Sequence, residues 1–175
     1  SPYDTTKIDG VYRTRKASKI YGNDGEPGSV SGNECVYWDD ISPYISGYLT
    51  TAQKHRSHIT CLAVHDKKPS ILYAGFTYNP HLPKLKVLRW EFNGWTDYSE
   101  GIPTWTNVRA IEFQPGTDGR VFIGTDDGIF YRTKTMSKWE RYGSGMPNVK
   151  VVQLQVLTKD NTLYAGTYGR GIWKV

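Results

Sequence analysis

Seven residues carry side chains of the kinds that hold a sugar or another polar polymer: Tyr78, His81, Trp105, Asp126, Asp127, Tyr168 and Arg170. Aromatic rings offer a flat apolar face to a saccharide, and charged groups set its direction through hydrogen bonds to hydroxyls. Hydrolysis of a glycosidic bond asks for more: two carboxylates about 5–9.5 Å apart across a cleft. Asp126 and Asp127 are neighbours in one predicted turn, so their side chains diverge and do not flank a bond. No other carboxylate pair faces them, so no catalytic residue is assigned and the sequence leans away from an enzyme. His55, His58, His65 and His81 lack ligand spacing and read as surface histidines. Cys35 and Cys61 form no CxxC site, so neither a metal nor a cofactor is expected. Cys61 lies inside an apolar strand pattern and reads as a buried free thiol in preference to a disulfide with Cys35.

Whether the seven residues meet depends on the elements that carry them. Three segments repeat: Ile71-Leu72-Tyr73-Ala74-Gly75-Phe76-Thr77, Arg120-Val121-Phe122-Ile123-Gly124-Thr125-Asp126 and Thr162-Leu163-Tyr164-Ala165-Gly166-Thr167-Tyr168. Their glycines stand 49 and 42 residues apart, from 75 to 124 and from 124 to 166. A period of roughly 40–50 residues filled with short strands is the spacing of propeller blades. An apolar strand precedes each glycine, at 59–64, 108–113 and 149–156, and another follows, at 87–90, 129–132 and 172–175. In two units a fourth strand opens on Trp95 or Trp139 and leaves through Gly101-Ile102-Pro103 or Gly145-Met146-Pro147. Naming the strands a to d from the axis outward, residues 10–13 and 38–42 supply a further c and d around a long Gly-rich loop, 21–34.

The expected fold is therefore all-β: a β-propeller segment of four-stranded antiparallel blades, about three and a quarter of them, in an incomplete ring. Residues 1–57 form a partial blade, 58–103 and 104–147 whole ones, and 148–175 a partial terminal blade. Either residues 10–42 complete the blade begun by 149–175, or further blades precede Ser1 in a part of the protein outside this sequence. The second reading is favoured, because so small a closed ring is unusual.

In such a ring the b–c and d–a connections share one face. Residues 77–86, Asp126-Asp127-Gly128, Tyr168-Gly169-Arg170-Gly171 and 104–107 would bring the seven candidates together there. Plainer roles compete. Asp126-Asp127-Gly128 has the composition of a type I′-like hairpin turn. Arg170, between two glycines, reads as a turn residue stacked on an aromatic. Trp38, Trp95 and Trp139 recur once per blade and read as wedges between blades.

The unit Gly128-Ile129-Phe130-Tyr131-Arg132, then Trp139, then Gly145-Met146-Pro147-Asn148-Val149, resembles the sialidase-like (Asp-box, or bacterial neuraminidase repeat) propellers. Thr167-Tyr168-Gly169-Arg170-Gly171-Ile172-Trp173 resembles the C-terminal blades of large exported Bacteroidota surface proteins. The resemblance implies the fold strongly and one activity weakly, since the group holds sialidases, xyloglucan hydrolases, sortilin-type receptors and surface proteins. Its Ser-x-Asp-x-Gly-x-Thr-Trp hairpin box is worn here: Lys134-Thr135-Met136-Ser137-Lys138-Trp139 keeps only the Trp, and Asn23-Asp24-Gly25 is a remnant. Trp packing is therefore expected to hold these hairpins. The arginine cluster that the resemblance implies for a sialidase does not fall at equivalent turns.

Composition narrows the remaining choices. The net charge of +5 is spread along the chain, the densest clusters being Arg13, Arg15, Lys16 and Lys19, then Lys84, Lys86 and Arg89. A nucleic-acid binder gathers its charge into a stripe, so no nucleic-acid partner is expected. No apolar run approaches the ~20 residues of a membrane-spanning helix, so no membrane insertion is expected. Ser1 opens without an export leader, and the first residues read as the interior of a longer polypeptide. The expected function is a non-catalytic, exported or cell-surface module for glycan or protein recognition and assembly. Its partners would be the remaining blades of the same protein, or a partner chain completing the ring, and a glycan or surface protein as ligand. The alternatives are a fragment of a secreted glycoside hydrolase and a sortilin-like peptide-binding propeller.

Overall fold

The structure, a computed structural model, describes four N-terminal strands and residues 58–92 and 94–175. The chain divides into two compact units, Ser1–Leu49 and Thr50–Val175. In the first, β1 (Tyr12–Ala17) pairs antiparallel with β4 (Cys35–Asp40), Thr14 opposite Trp38. Between them β2 (Ile20–Tyr21) pairs with β3 (Pro27–Gly28), so the expected loop 21–34 carries a short ladder of its own. The ladder also runs over 12–17 and 35–40 where 10–13 and 38–42 were expected. Asn23-Asp24-Gly25, His55, the side chains of Trp38 and Cys35, and those of Arg13, Arg15, Lys16 and Lys19 lie outside the described residues.

The second unit holds three antiparallel sheets whose strands follow in chain order. The first sheet is β5 (Ile59–Val64), β6 (Leu72–Phe76), β7 (Val87–Glu91) and β8 (Gly94–Asp97). The second is β9 (Val108–Phe113), β10 (Val121–Thr125), β11 (Gly128–Arg132) and β12 (Glu140–Tyr142). The third is β13 (Val151–Leu157), β14 (Thr162–Thr167) and β15 (Ile172–Lys174). The three repeated Gly segments are thus the second strands of consecutive sheets, β6, β10 and β14, as the period requires. The architecture is all-β, a propeller segment whose described sheets close no ring.

Alternation places the core between sheets. Ile111, Phe113, Ile123 and Trp139 of the second sheet pack on Ile71, Tyr73 and Val87 of the first. On the other face of the second sheet, Ala110, Phe122 and Ile129 meet Leu154, Val156, Leu163 and Ala165 of the third. β10 is therefore buried along its whole length. The repeated glycine exists for this packing. A Cβ on Gly75 would come within 2.7 Å of Val108 Cγ1, and one on Gly124 within 2.7 Å of Val151 Cγ1. The inner strands of the second and third sheets, β9 and β13, each open on a valine that lies against the preceding sheet's glycine.

Trp139 is the expected wedge. It is 2% exposed, its indole N–H donates to Tyr98 O at 2.5 Å, and its backbone N–H donates to Glu100 O at 2.8 Å. Trp95 is half-buried and stands edge-on to Trp90 at 5.4 Å. The worn hairpin before Trp139 has a second support that the sequence did not reveal. Buried Arg132 donates through Nε to Met136 O at 3.0 Å and through a terminal nitrogen to Ser137 O at 2.6 Å. Its guanidinium also lies 3.5 Å over the Tyr98 ring, joining the two sheets. His65, expected at the surface, is instead buried against Phe113 with ring centroids 5.0 Å apart. Strand β5 delivers it to the sheet interface one residue past its last ladder pair.

Candidate functional site: a repeated polar rim

Each inner strand begins with the same irregularity. The ladder slips by one residue between Ile59 and Cys61, at Gly124/Thr125 so as to skip Arg109, and between Val151 and Gln153. Such bulges bend a strand and re-aim one side chain. Just before each bulge one hydrogen bond recurs: Thr77 N–H to His58 O at 3.0 Å, Asp126 N–H to Asn107 O at 3.2 Å, and Tyr168 N–H to Lys150 O at 2.8 Å. Thr77, Asp126 and Tyr168 are therefore one position in three sheets, and His58, Asn107 and Lys150 another. Together they make a polar rim.

Side-chain bonds tie two of these sheets together at the rim. Asn107 Oδ1 accepts the backbone N–H of Tyr78 at 2.7 Å, while Asn107 Nδ2 donates to the Asp126 carboxylate. Arg109, the bulge residue, donates through Nε to the other oxygen of Asp126. Burial by itself would raise the Asp126 carboxyl. The hydrogen bonds from Arg109 and Asn107 and the charges of Arg109 and Lys150 outweigh that, and hold it below the usual carboxylate range. Asp126 is thus an ionised, engaged structural group.

The turn that carries Asp126 differs from expectation. Among the described residues only Phe92 and Asn161 are non-glycines at positive φ, so Asp126 and Asp127 are not in a type I′ turn. Positive φ falls on Gly128 at +107°, the pattern of a type I turn closed by a glycine bulge. Thr125 Oγ1 braces it, accepting Asp127 N–H at 3.1 Å and donating to Gly128 O at 3.0 Å. Glycine after the turn absorbs the strain, which frees both aspartates from left-handed backbone. Asp127 is half-buried, and its Oδ2 has no hydrogen-bond partner among the described residues.

The other candidates are placed as follows. Tyr168 is 74% exposed with Lys150 Nζ 5.3 Å from its ring centroid, and Trp105 is 69% exposed in the link before β9. Arg170 is exposed, and its carbonyl accepts the Trp173 indole N–H at 3.0 Å. Tyr78 is exposed over Lys86, and His81 is exposed in a turn where its N–H bonds Asn79 Oδ1 at 2.9 Å. The bonding brings Tyr78 and Asp126 together through Asn107 and sets Tyr168 at the position equivalent to Asp126. Sequence reasoning passed over Asn107, Arg109 and Lys150 as site residues. Aligning the sheets by their bulges finds them: Asn107 and Lys150 stand three residues before the ladder resumes at Ala110 and Gln153, and Arg109 one residue before.

Lys86, which the sequence groups with Lys84 and Arg89 in a charge cluster, is a further residue that sequence reasoning passes over. It is fully buried, its ammonium 4.8 Å from the Tyr78 ring centroid and without a hydrogen-bond partner among the described residues. Burial lowers its pKa from the ordinary 10.5 to about 8. The folded amine therefore loses its proton before the unfolded one does, and this group makes stability rise as pH climbs from about 8 to 10.5. Lys86→Met is expected to abolish that rise and to stabilise the protein at neutral pH. Thermal melts of both proteins between neutral and alkaline pH measure it, and parallel curves would refute the burial of a charge here. Cys61 is a free thiol that burial pushes up to about 11, so it is no nucleophile at neutral pH.

Among the described residues, cavities open away from the rim. One, about 590 Å³, opens between the first two sheets around Tyr73, Arg89, Glu91, Phe113 and Asp118. The other, about 540 Å³, lies between 142–146 and 173–175. Neither is lined by the rim residues Asn107, Arg109, Asp126, Lys150 or Tyr168. Among the described residues no three His, Cys, Asp or Glu side chains cluster as metal ligands.

Consecutive antiparallel sheets, packed face to face with equivalent residues rimming the inner strands, define a segment of a β-propeller. No protein-family model and no curated protein matches the chain. Among solved structures it is similar to the extracellular domain of a B. thetaiotaomicron protein described as a hybrid two-component system, at TM-score 0.54 and 12% identity over 88% of this chain and 20% of that one. A second structure, described as the extracellular domain of a one-component system from the same organism, matches at TM-score 0.55 and 14% identity over 91% of this chain and 21% of that one. The chain thus spans about one fifth of the neighbours' length. At such identities the likeness concerns the fold.

Proposed function

We propose that this chain is part of an exported or cell-surface propeller of the sialidase-like repeat type, and that it recognises a glycan through its polar rim without catalysis. The observation that carries the reading is Tyr168: an aromatic face 74% exposed, with a lysine beside it and an engaged carboxylate at the equivalent position of the preceding sheet. An exposed ring next to a cation suits a saccharide, which stacks its C–H face and directs its hydroxyls or carboxylate to the charge. The pairing of Asp126 with Arg109 speaks against a free acid–base couple. That the structural neighbours are extracellular domains supports export. The module works inside a larger ring on this reading. Ile172 is 78% exposed, whereas its register equivalents Val87 and Ile129 are 0% and 1% exposed beneath the next sheet.

Glycan-array binding followed by titration of the best ligand tests the proposal. Tyr168→Ala and Trp105→Ala are each expected to weaken binding about tenfold, with unchanged thermal stability. Binding that ignores both substitutions would reject the rim. Hydrolysis of a sialoside or xyloglucan reporter, lost in Asp126→Asn, would assign the chain to the glycoside hydrolases instead.

A further inference from the structure

The cavity of about 590 Å³ between the first two sheets opens at the far end of the strands from the rim: His65 N–H donates to Ile71 O here, Thr77 N–H to His58 O there. Its size suits a small ligand, for which pockets run to roughly 300–1,000 Å³. Ile71, Tyr73 and Phe113 supply a buried apolar lining. Arg89 lies 5.6 Å over the Tyr98 ring and pairs with Glu91 at 2.6 Å. At the mouth, exposed Asp118 stands between two lysines, Oδ1 3.2 Å from Lys68 Nζ and Oδ2 3.5 Å from Lys134 Nζ.

Packing alone does not call for this arrangement, as the second sheet shows. Tyr73 faces Arg89 in the ladder as Phe122 faces Tyr131, and Tyr98 holds the register position of Tyr142. In the second sheet Phe122 and Tyr131 both pack edge-on against Tyr142, at 4.8 and 5.4 Å. In the first, a partly buried ion pair replaces the third ring, and Arg89 Nε is buried without a hydrogen-bond partner among the described residues. Both features cost stability. Phe92 adds a third cost. Glu91 pairs with Gly94, so a two-residue loop turns this hairpin, and its first residue, Phe92, sits at φ +52° where glycine or asparagine is the usual choice. The Phe92 ring is 91% exposed and lines the cavity, so no packing offsets that strain. Strained backbone of this kind collects at ligand clamps.

We propose that this cavity binds a small aromatic carboxylate, its ring among Tyr73, Phe113 and Phe92 and its carboxylate at Lys68 and Lys134. An aromatic ring matches the aromatic lining, and the exposed Phe92 ring gains a partner when the ligand enters. Charge matches as well. Three cations, Lys68, Arg89 and Lys134, against two carboxylates, Glu91 and Asp118, leave one positive charge, which a single carboxylate neutralises. Asp118 is the ion partner of both lysines among the described residues, and an ammonium has more N–H donors than one carboxylate oxygen takes. Donors therefore remain for the ligand. The site shares no residue with the rim and does not depend on the glycan reading.

The test uses the whole 175-residue chain, with naphthalene-2-carboxylate as the probe and its uncharged amide as the control, in calorimetric titrations at low salt. Saturable binding of the acid is expected, at least about tenfold tighter than that of the amide. Asp118→Asn removes the anion that competes for the lysines, and should tighten the acid about threefold without changing the amide. Lys68→Ala combined with Lys134→Ala should erase the difference between the two probes. Phe92→Gly relieves the left-handed strain, so it should melt no lower than the parent protein, yet bind both probes about tenfold more weakly. Tyr168→Ala should leave the acid's affinity unchanged, which separates this result from the rim. Absence of saturable binding, equal affinity for acid and amide, or indifference to Phe92→Gly overturns the proposal. Displacement of the acid by an equal concentration of glucuronate would assign the cavity to acidic sugars, and would overturn it too.

Discussion

Replacing Trp139 by alanine is expected to cost about 3–5 kcal/mol of unfolding free energy, the largest loss for any single truncation in the described sheets. Its side chain is 2% exposed between two sheets, so removal leaves a cavity that packed strands on both sides cannot close. The Tyr98 carbonyl would also lose the indole donor. Trp139→Phe separates the two terms, keeping most of the volume and losing the N–H, and should cost about 1–2 kcal/mol. Urea titrations with a common m-value give both numbers. A loss below about 1.5 kcal/mol for the alanine variant would mean that Trp139 is no wedge.

The repeated glycines give a second large effect with an internal control. Gly124→Ala is expected to destabilise by about 1–3 kcal/mol, because the new methyl meets Val151 side-chain and backbone atoms at the sheet interface. Gly75→Ala should behave alike, with Val108 and the Cys61 sulfur as obstacles. Gly166→Ala places its methyl no closer than 3.5 Å to Gln153 Cβ, and should lie within about 0.5 kcal/mol of neutral. None of the three has a positive φ, so backbone strain does not confuse the comparison. Equal losses at all three positions would show that strand propensity, and not sheet stacking, explains the repeat.

These two cases also show where local pattern suffices. Alternation and the spacing of Gly75, Gly124 and Gly166 report which strand comes second in each sheet, because a small residue is needed once per stacking contact. The turns were legible as positions but not as conformations. Asp126-Asp127-Gly128 has the composition of a type I′-like turn, whereas the glycine alone takes positive φ and Thr125 braces the rest. Composition permits both turns, and the glycine bulge that selects one is visible only in the ladder.

The sequence by itself determined the number and order of strands in the three sheets of residues 58–175, the period, and Trp139 as a recurrent packing residue, since these follow from side chains that alternate along one strand. Tertiary structure decided what each rim residue does. Asp126 is held by Asn107 and Arg109, 19 and 17 residues before it, and Arg109 reaches it from the bulge that opens its inner strand. Lys86 is buried although it belongs to a charge cluster, and His65 although it reads as a surface histidine. Contacts between strands that close only on folding have no local signature, so charge, burial and bonding at the rim became readable only once the sheets were stacked.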